Sequence, residues 1–347
     1  MRTRCRPKRE AGQRAVMPNC VARVLNSTPM DTATRYEYFS TQEARGHSNC
    51  YEDWAKGIAS DNELLALIRT LPEERQQPNL ILASARATGI GLEPYTKFRA
   101  EFLSKWDKIR AIAMVRRTQT NEVGRCATLL PIFCELQQPL ALLEVGASAG
   151  LCLYPDQYNY QYNEDAPILS KTTGGPLLHC TTTGNVPLPA QVPEIVWRAG
   201  IDLNPLDVTN REDTDWLELL VWPDQHHRLE RLNAAVNVVR ANPPHLVRGD
   251  LLEQLEATAA TSPSGANLVI FHSAVLNYLP VDARTEFREL VSGLPAHWIS
   301  NEGEGVLVFP GQKVPPPRDP TTGSFVVARD GIPLAYSGPH GDRLDWF

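Results

Sequence analysis

The sequence predicts a doubly wound α/β fold. It has a mostly parallel seven-stranded sheet with a terminal antiparallel hairpin, preceded by a helical N-terminal region. Three observations predict it. A short apolar run, Leu140–Val145, interrupted by Glu144 one residue before its end, leads into the small-residue turn Gly146-Ala147-Ser148-Ala149-Gly150, as a buried parallel strand entering a ligand-binding turn does. Strand-like and helix-like segments then alternate five times. The chain closes on two strand-like segments joined by Asp330-Gly331, a strong two-residue hairpin signal.

Composition narrows the class. A chain of 347 residues can bury a large core in one large or two ordinary domains. Apolar residues at 42% and charged residues at 21% are those of an ordinary globular protein. No apolar run approaches the roughly eighteen residues of a membrane span. A net charge of −6 gives no basic field for nucleic acid, so the expected partner is a small molecule. The seven cysteines are scattered and never spaced C-x-x-C. That fits reduced thiols in a cytoplasmic protein better than a disulfide framework or a zinc site. Residues 1–31 read differently: the basic, Pro-interrupted start is not followed by an apolar stretch, which predicts a flexible tail or a true start at Met17 or Met30.

Residues 32–135 read as helices. Tyr51–Ala59 is followed by a segment with Ser60 or Asp61 as cap, Glu63 in its first turn, and Leu64, Leu67, Ile68 and Leu71 on one face. Asn79–Ala87 looks like a buried helix, and 100–117 carries Phe102, Leu103, Trp106, Ile109, Ile112 and Ala113 at helical spacing. The stretch Gln119-Thr-Asn-Glu-Val-Gly-Arg125 is dense in donors and acceptors beside an apolar helix that ends near Pro131. Thr120 or Asn121 can cap that helix, but capping leaves Gln119, Glu122 and Arg125 without a role, which points to binding.

The α/β region, 136–347, starts at Leu140. Pro155 cuts short the helix after the turn, and Tyr158-Asn-Tyr-Gln-Tyr162 puts three tyrosines on one face of an extended segment. Residues 156–194, rich in Thr, Gly and Pro, read as a loop-rich insertion or lid. Strands follow at Ile195–Asp202, His245–Asp250, Asn267–Ser273 and His297–Glu302, with helices at 211–222, 226–241, 251–260 and 282–290 between them. After a Pro/Gly-rich loop, 310–323, the hairpin 325–337 ends the alternation.

The central turn supports two chemistries. Read as E-x-G-x-S-x-G from Glu144 to Gly150, it resembles the first motif of S-adenosylmethionine-dependent methyltransferases. Glu144, Asp202 and Asp250 end three successive strands, where ligands of open α/β sheets bind; an acid after the second strand suits ribose hydroxyls and one after the third an adenine amino group. Gly146, Ala147, Ser148 and Gly150 then carry the cofactor. Read as G-x-S-x-G, Ser148 is a hydrolase nucleophile, with Asp250 or Asp282 and His297 or His340 completing a triad. The absence of strands ahead of the elbow favours the cofactor. Zinc is disfavoured, since His226-His227 has no Cys/His cluster around it.

Gln119–Arg125, Leu143–Leu151, Gly200-Ile-Asp-Leu-Asn-Pro205, Arg248-Gly-Asp250, Phe271-His-Ser-Ala-Val275 and Pro339-His-Gly341 together resemble a bacterial family known as domain of unknown function 2332, from about Tyr36 to the end. The resemblance implies a methyltransferase-like core and no established reaction. The family's Arg-Tyr-Arg-Tyr pattern is replaced here by Gln157-Tyr-Asn-Tyr-Gln-Tyr162, without the arginines. The expectation is a methyltransferase binding S-adenosylmethionine and acting on a small polar acceptor. His272 is the expected base, because an imidazole is the side chain whose unperturbed pKa lies nearest neutrality. Gln119, Asn121, Glu122, Arg125, Glu302 and His340 are expected to hold the acceptor under a roof formed by the insertion.

Overall fold

The structure is a computed structural model that describes residues 30–119, 121–170, 174–318 and 324–347. The expected tail up to residue 29, with Met17, Cys5 and Cys20, and also Thr120 and the end of the 310–323 loop, lie outside the described residues.

Six helices come first: α1 (Thr32–Tyr38), α2 (Asn49–Ala59), α3 (Asn62–Ile68), α4 (Pro78–Ala87), α5 (Tyr95–Val115) and α6 (Arg125–Glu135). A π-helical turn, Phe39–Ala44, follows α1. Asp61 caps α3 by accepting from the Glu63 and Leu64 amides, as its position before an apolar run demands. The strands are β1 (Leu140–Val145), β2 (Asn159–Tyr162), β3 (Leu177–Thr183), β4 (Ile195–Asp202), β5 (His245–Arg248), β6 (Asn267–Ser273), β7 (His297–Gly303), β8 (Phe325–Arg329), β9 (Ile332–Ser337) and β10 (Arg343–Trp346). Between them run α7 (Arg211–Leu220), α8 (His226–Ala241), α9 (Leu251–Ala259) and α10 (Val281–Ser292).

The expected seven-stranded, mostly parallel sheet is corrected to a mixed sheet of ten strands, ordered β2-β3-β10-β9-β8-β7-β6-β1-β4-β5. All seven expected strands are present, and β2, β3 and β10 extend the sheet beyond the hairpin. Strands β5-β4-β1-β6-β7 run parallel, β7 to β10 pair antiparallel through β8 and β9, and β10-β3-β2 are parallel again. The segment expected as a loop-rich insertion therefore contributes two strands. Its signal was the period-two alternation: Tyr158, Tyr160, Tyr162, Leu178 and Cys180 are all buried, whereas the Thr/Gly/Pro surroundings read as loop.

Those tyrosines close a backbone account. Helix α6 continues through Pro131 to Glu135 rather than ending near the proline. Pro131 has no N–H to donate to the Ala127 carbonyl four residues back, and the Tyr162 hydroxyl donates to that carbonyl instead, at 2.8 Å. Tyr158 and Tyr160 donate to the Leu151 and Pro155 carbonyls in the same way.

Strand β1 sits in the middle, between β4 and β6. Alternation sends Leu140 and Leu142 into a core shared with the N-terminal helices and α6, while Ala141, Leu143 and Val145 face a second core with α9 and α10. From β1 the chain order runs outward through β4 and β5 on one side and β6 and β7 on the other. The crevice between β1 and β6, at the carboxyl ends, is the switch point where open sheets bind ligands.

Candidate functional site

A cavity of about 480 Å³ opens at that switch point. Gly146 and Ser148 after β1, Ile201 and Asp202 at the end of β4, Gly249 and Asp250 after β5, and Ser273 to Val275 at the end of β6 form its floor. Arg125 enters from the start of α6. Glu74, Arg75, Gln77, Leu80, Arg117, Thr118 and Gln119 of the helical region form the opposite wall, with Leu203 and Tyr278 exposed beside the opening. None of the described residues of the 156–194 segment lines the cavity, so the expected roof is supplied by the helical region instead.

The turn after β1 is held from several sides. The Gly146 and Ala147 amides donate to the Ile201 carbonyl at 2.8 and 3.1 Å. The Ser148 amide donates to Asp202 Oδ2 at 2.8 Å, and Asp202 Oδ1 accepts from the Asn204 amide at 2.7 Å. Asn121 donates to Ser148 Oγ and accepts from the Ala149 amide at 3.1 Å. Gln119 donates to the Asn204 carbonyl at 2.6 Å. Gly146 has φ +73°, where a side chain is rarely found, and a Cβ there would lie 2.4 Å from Val275. Ser148 (φ 51°) and Ala274 (φ 58°) are left-handed without being glycine, and both line the cavity. Strained backbone of this kind persists only where the surroundings impose it, and it concentrates at functional sites.

Of the expected cofactor residues, Gly146, Ser148, Asp202 and Asp250 line the cavity, and Ala147, Gly150 and Glu144 do not. Ala147 packs against Gly200, and Gly150 lies against Pro244. Asp250 does two things: it caps α9 through the Leu252 amide at 2.8 Å and it faces the cavity. Glu144 does not point out of the strand end as expected. It is buried, its Oε2 has no partner among the described residues, and burial, with Cys152 and Asp202 nearby, pushes its carboxyl well above the usual range.

The polar stretch 119–125 divides. Gln119 and Arg125 line the main cavity. Gln119, Asn121 and His340 also line a neighbouring one of about 110 Å³. Glu122 is buried in an ion cluster with Arg228 at 2.8 Å, Arg231 at 2.6 Å and His340 at 3.3 Å. Burial raises its carboxyl, but Arg228, His340 and Arg231 together pull it well below the usual range. The cluster fixes the stretch to the 338–341 turn, where a Cβ on Gly124 would lie 2.2 Å from the His340 carbonyl oxygen. Arg125 is not part of it. Its Nε donates to the Pro339 carbonyl at 2.9 Å, its Nη1 to the Ser273 carbonyl at 3.2 Å, and its guanidinium lies over the Phe325 ring.

His272 is corrected as the base. It pairs in register with Val145, so it shares the second core's face, opposite to Glu144 and Arg125. The ring is fully buried; Nε2 accepts from the Trp298 indole at 3.0 Å, which leaves Nδ1 to donate to Glu302 Oε1 at 2.7 Å. The same oxygen accepts from the Val275 and Leu276 amides at 3.0 and 3.1 Å. Glu302 therefore shapes the loop after β6 from behind and does not line the cavity. The hydrolase triad is not assembled either: Ser148 Oγ meets Asn121, while His297 pairs with Asp330 and His340 with Glu122.

Sequence reasoning missed Arg75, Arg117 and Tyr278 in the cavity, and Arg228 and Arg231 as partners of Glu122. Tyr278 lies in the loop after β6 and was accessible to the rule that ligands bind beyond strand ends. Arg75 lies in the loop before α4, and only tertiary packing brings it here. Among the described residues, no group of His, Cys, Asp and Glu side chains is arranged to hold a metal ion, and no helix is long and apolar enough to cross a membrane.

Fold and site together define an α/β protein with a ligand-sized cavity at the switch point of its sheet. The family model described as "Uncharacterized protein conserved in bacteria (DUF2332)" matches residues 33–346, and the chain belongs to that family. No curated protein and no solved structure matches the chain.

Proposed function

We propose that the cavity binds S-adenosylmethionine and that the protein is a methyltransferase for a small polar acceptor. One observation carries this reading: Asp202 and Asp250, ending adjacent strands, line the same cavity as the left-handed Gly146–Ser148 turn. A volume of about 480 Å³ suits a nucleoside-sized molecule. Asp202 Oδ2 accepts from the Ser148 amide, and Oδ1 from the Asn204 amide and, at 3.4 Å, from Gln119 Nε2, which fixes the carboxylate and leaves Oδ2 a lone pair for a ribose hydroxyl. Asp250, exposed and held by its capping bond, is positioned for an amino group. When bound, the cofactor supplies a methyl on a sulfonium, open to in-line displacement.

The residues of the chain then have to orient and enclose rather than to exchange protons. Tyr278 and Leu203 border the opening, and Gln119, held by the Asn204 carbonyl, limits the cavity on the side of the helical region. Alignment of two bound molecules is itself a large part of a displacement's acceleration. Titration calorimetry with S-adenosylmethionine and S-adenosylhomocysteine tests the reading. Binding of both, weakened at least tenfold by Asp202→Asn, is expected. No heat from folded wild-type protein contradicts it.

A further inference from the structure

We propose that Arg125 is the anion anchor of the cavity, receiving a carboxylate or phosphate of the bound molecule on the guanidinium edge that the fold leaves open. The source of that anion, though not its chemistry, rests on the cofactor reading above. Arg125 is only 6% exposed and lines the cavity, yet no carboxylate lies within 4.0 Å of it among the described residues. A buried cation without a counter-charge is costly, and proteins rarely keep one without a use.

Two of the acids around it are committed elsewhere, and burial holds the third, Glu144, toward its neutral form. Glu122 is held by Arg228 and Arg231, and Glu302 by His272 and two amides on the other face. Bonds from Nε to Pro339 and from Nη1 to Ser273 lock the guanidinium plane, and the Phe325 ring covers it. Nη2 makes no hydrogen bond among the described residues. A locked fork with one unused edge is the arrangement that recognises a planar or tetrahedral oxyanion.

The rest of the cavity agrees. Arg75 and Arg117 also line it without an ion pair among the described residues; Arg75 is fixed by bonds to the Ala113 and Arg116 carbonyls at 3.2 and 2.7 Å. Of the three acids in the wall, Asp202 and Asp250 already accept from backbone amides, and Glu74 is exposed beside Arg75 on the helical side. The cavity lacks negative charge at the Arg125 end, and a ligand has to bring it. Two sources supply the same chemistry: the aminoacyl carboxylate of the cofactor, or an acidic group on the acceptor.

Calorimetry with S-adenosylhomocysteine and with methylthioadenosine, which lacks the aminoacyl carboxylate, separates the sources in wild type, Arg125→Gln and Arg125→Lys. Thermal unfolding in rising inorganic phosphate at constant ionic strength is measured alongside. Arg125→Lys keeps the charge and the packed stem but not the fork, and circular dichroism checks its fold. A loss of at least tenfold for S-adenosylhomocysteine, with methylthioadenosine within twofold, supports the anchor and assigns it the cofactor carboxylate. Unchanged nucleoside affinities with a phosphate stabilisation that only wild type shows support the anchor and assign it the acceptor. If wild type binds neither nucleoside, the cofactor reading fails, and the phosphate arm still decides on Arg125. Variants that match wild type for S-adenosylhomocysteine and for phosphate overturn the proposal. Should both variants fail to fold, wild type alone decides: phosphate stabilisation or a tenfold preference for S-adenosylhomocysteine supports the anchor, and the lack of both overturns it.

Discussion

Arg125 and His272 are both basic, both buried and both at the carboxyl end of β6, on opposite faces of the sheet. His272 has each ring nitrogen bonded and no space beside it. Arg125 has two bonds to carbonyls, no counter-charge among the described residues, and a cavity in front of it. The difference teaches that residue type does not make a site. An unmet hydrogen-bonding capacity facing open space does, and the face of the sheet on which a side chain lies decides whether it has one.

The comparison breaks if the His272 side proves to govern binding. His272→Ala leaves the Trp298 indole and the Glu302 carboxylate buried without each other's bridge, so a loss on the order of 3 kcal/mol is expected in urea unfolding. Nucleoside affinity of the folded fraction should stay within about twofold. A larger fall in affinity than in stability would return His272 to the site.

Gly341→Ala tests whether the Arg125 side depends on its brace. Gly341 has φ +77°, and a Cβ there would lie 2.1 Å from the Gly124 carbonyl carbon, so backbone has to shift. A loss of roughly 2 kcal/mol or more is expected, together with weaker ligand binding, because Pro339 and the start of α6 move with it. Tyr162→Phe should cost about 1–2 kcal/mol by stranding the Ala127 carbonyl, with binding unchanged.

The two buried acids of the Arg125 face sharpen the contrast through pH. The Glu144 carboxyl is raised in the folded state, so the folded protein binds the extra proton and stability falls as pH rises above the ordinary glutamate range near 4.5. Glu144→Gln should raise stability by about 1 kcal/mol or more at pH 8 and by little near pH 4. The Glu122 carboxyl is depressed, so its contribution is present above that range and lost as pH falls through its lower folded value. Urea unfolding from pH 2 to 8 reads both slopes, Glu144 above about 4.5 and Glu122 below it.

Much of this fold is visible in residue order. Leu140–Val145, apolar but for Glu144, is an interior strand at the middle of the parallel part of the sheet, and the seven expected strands all form. The three added strands escaped because β2 and β10 are four residues long and β3 lies in a Thr- and Gly-rich stretch. Alternation at Tyr158, Tyr160 and Tyr162 was legible, but where it joined the sheet was not, since β2 pairs with β3 and only β3, through β10 more than 100 residues away, ties both to the rest. The site divides similarly. Gly146, Ser148, Asp202 and Asp250 follow from strand ends and turn chemistry. His272 misled because a neutral-range side chain at a strand end is attractive until its face is known. Arg75 and Arg117 come from the segments that flank helices α4 and α5, whose packing the sequence does not specify residue by residue.

The most direct measurement is a crystal structure of the full chain grown with S-adenosylhomocysteine. The ribose should lie against Asp202, the adenine toward Asp250 and the thioether over the Gly146–Ser148 turn, with His272 and Trp298 untouched. An empty cavity at saturating ligand, or ligand bound on another surface, would contradict the account.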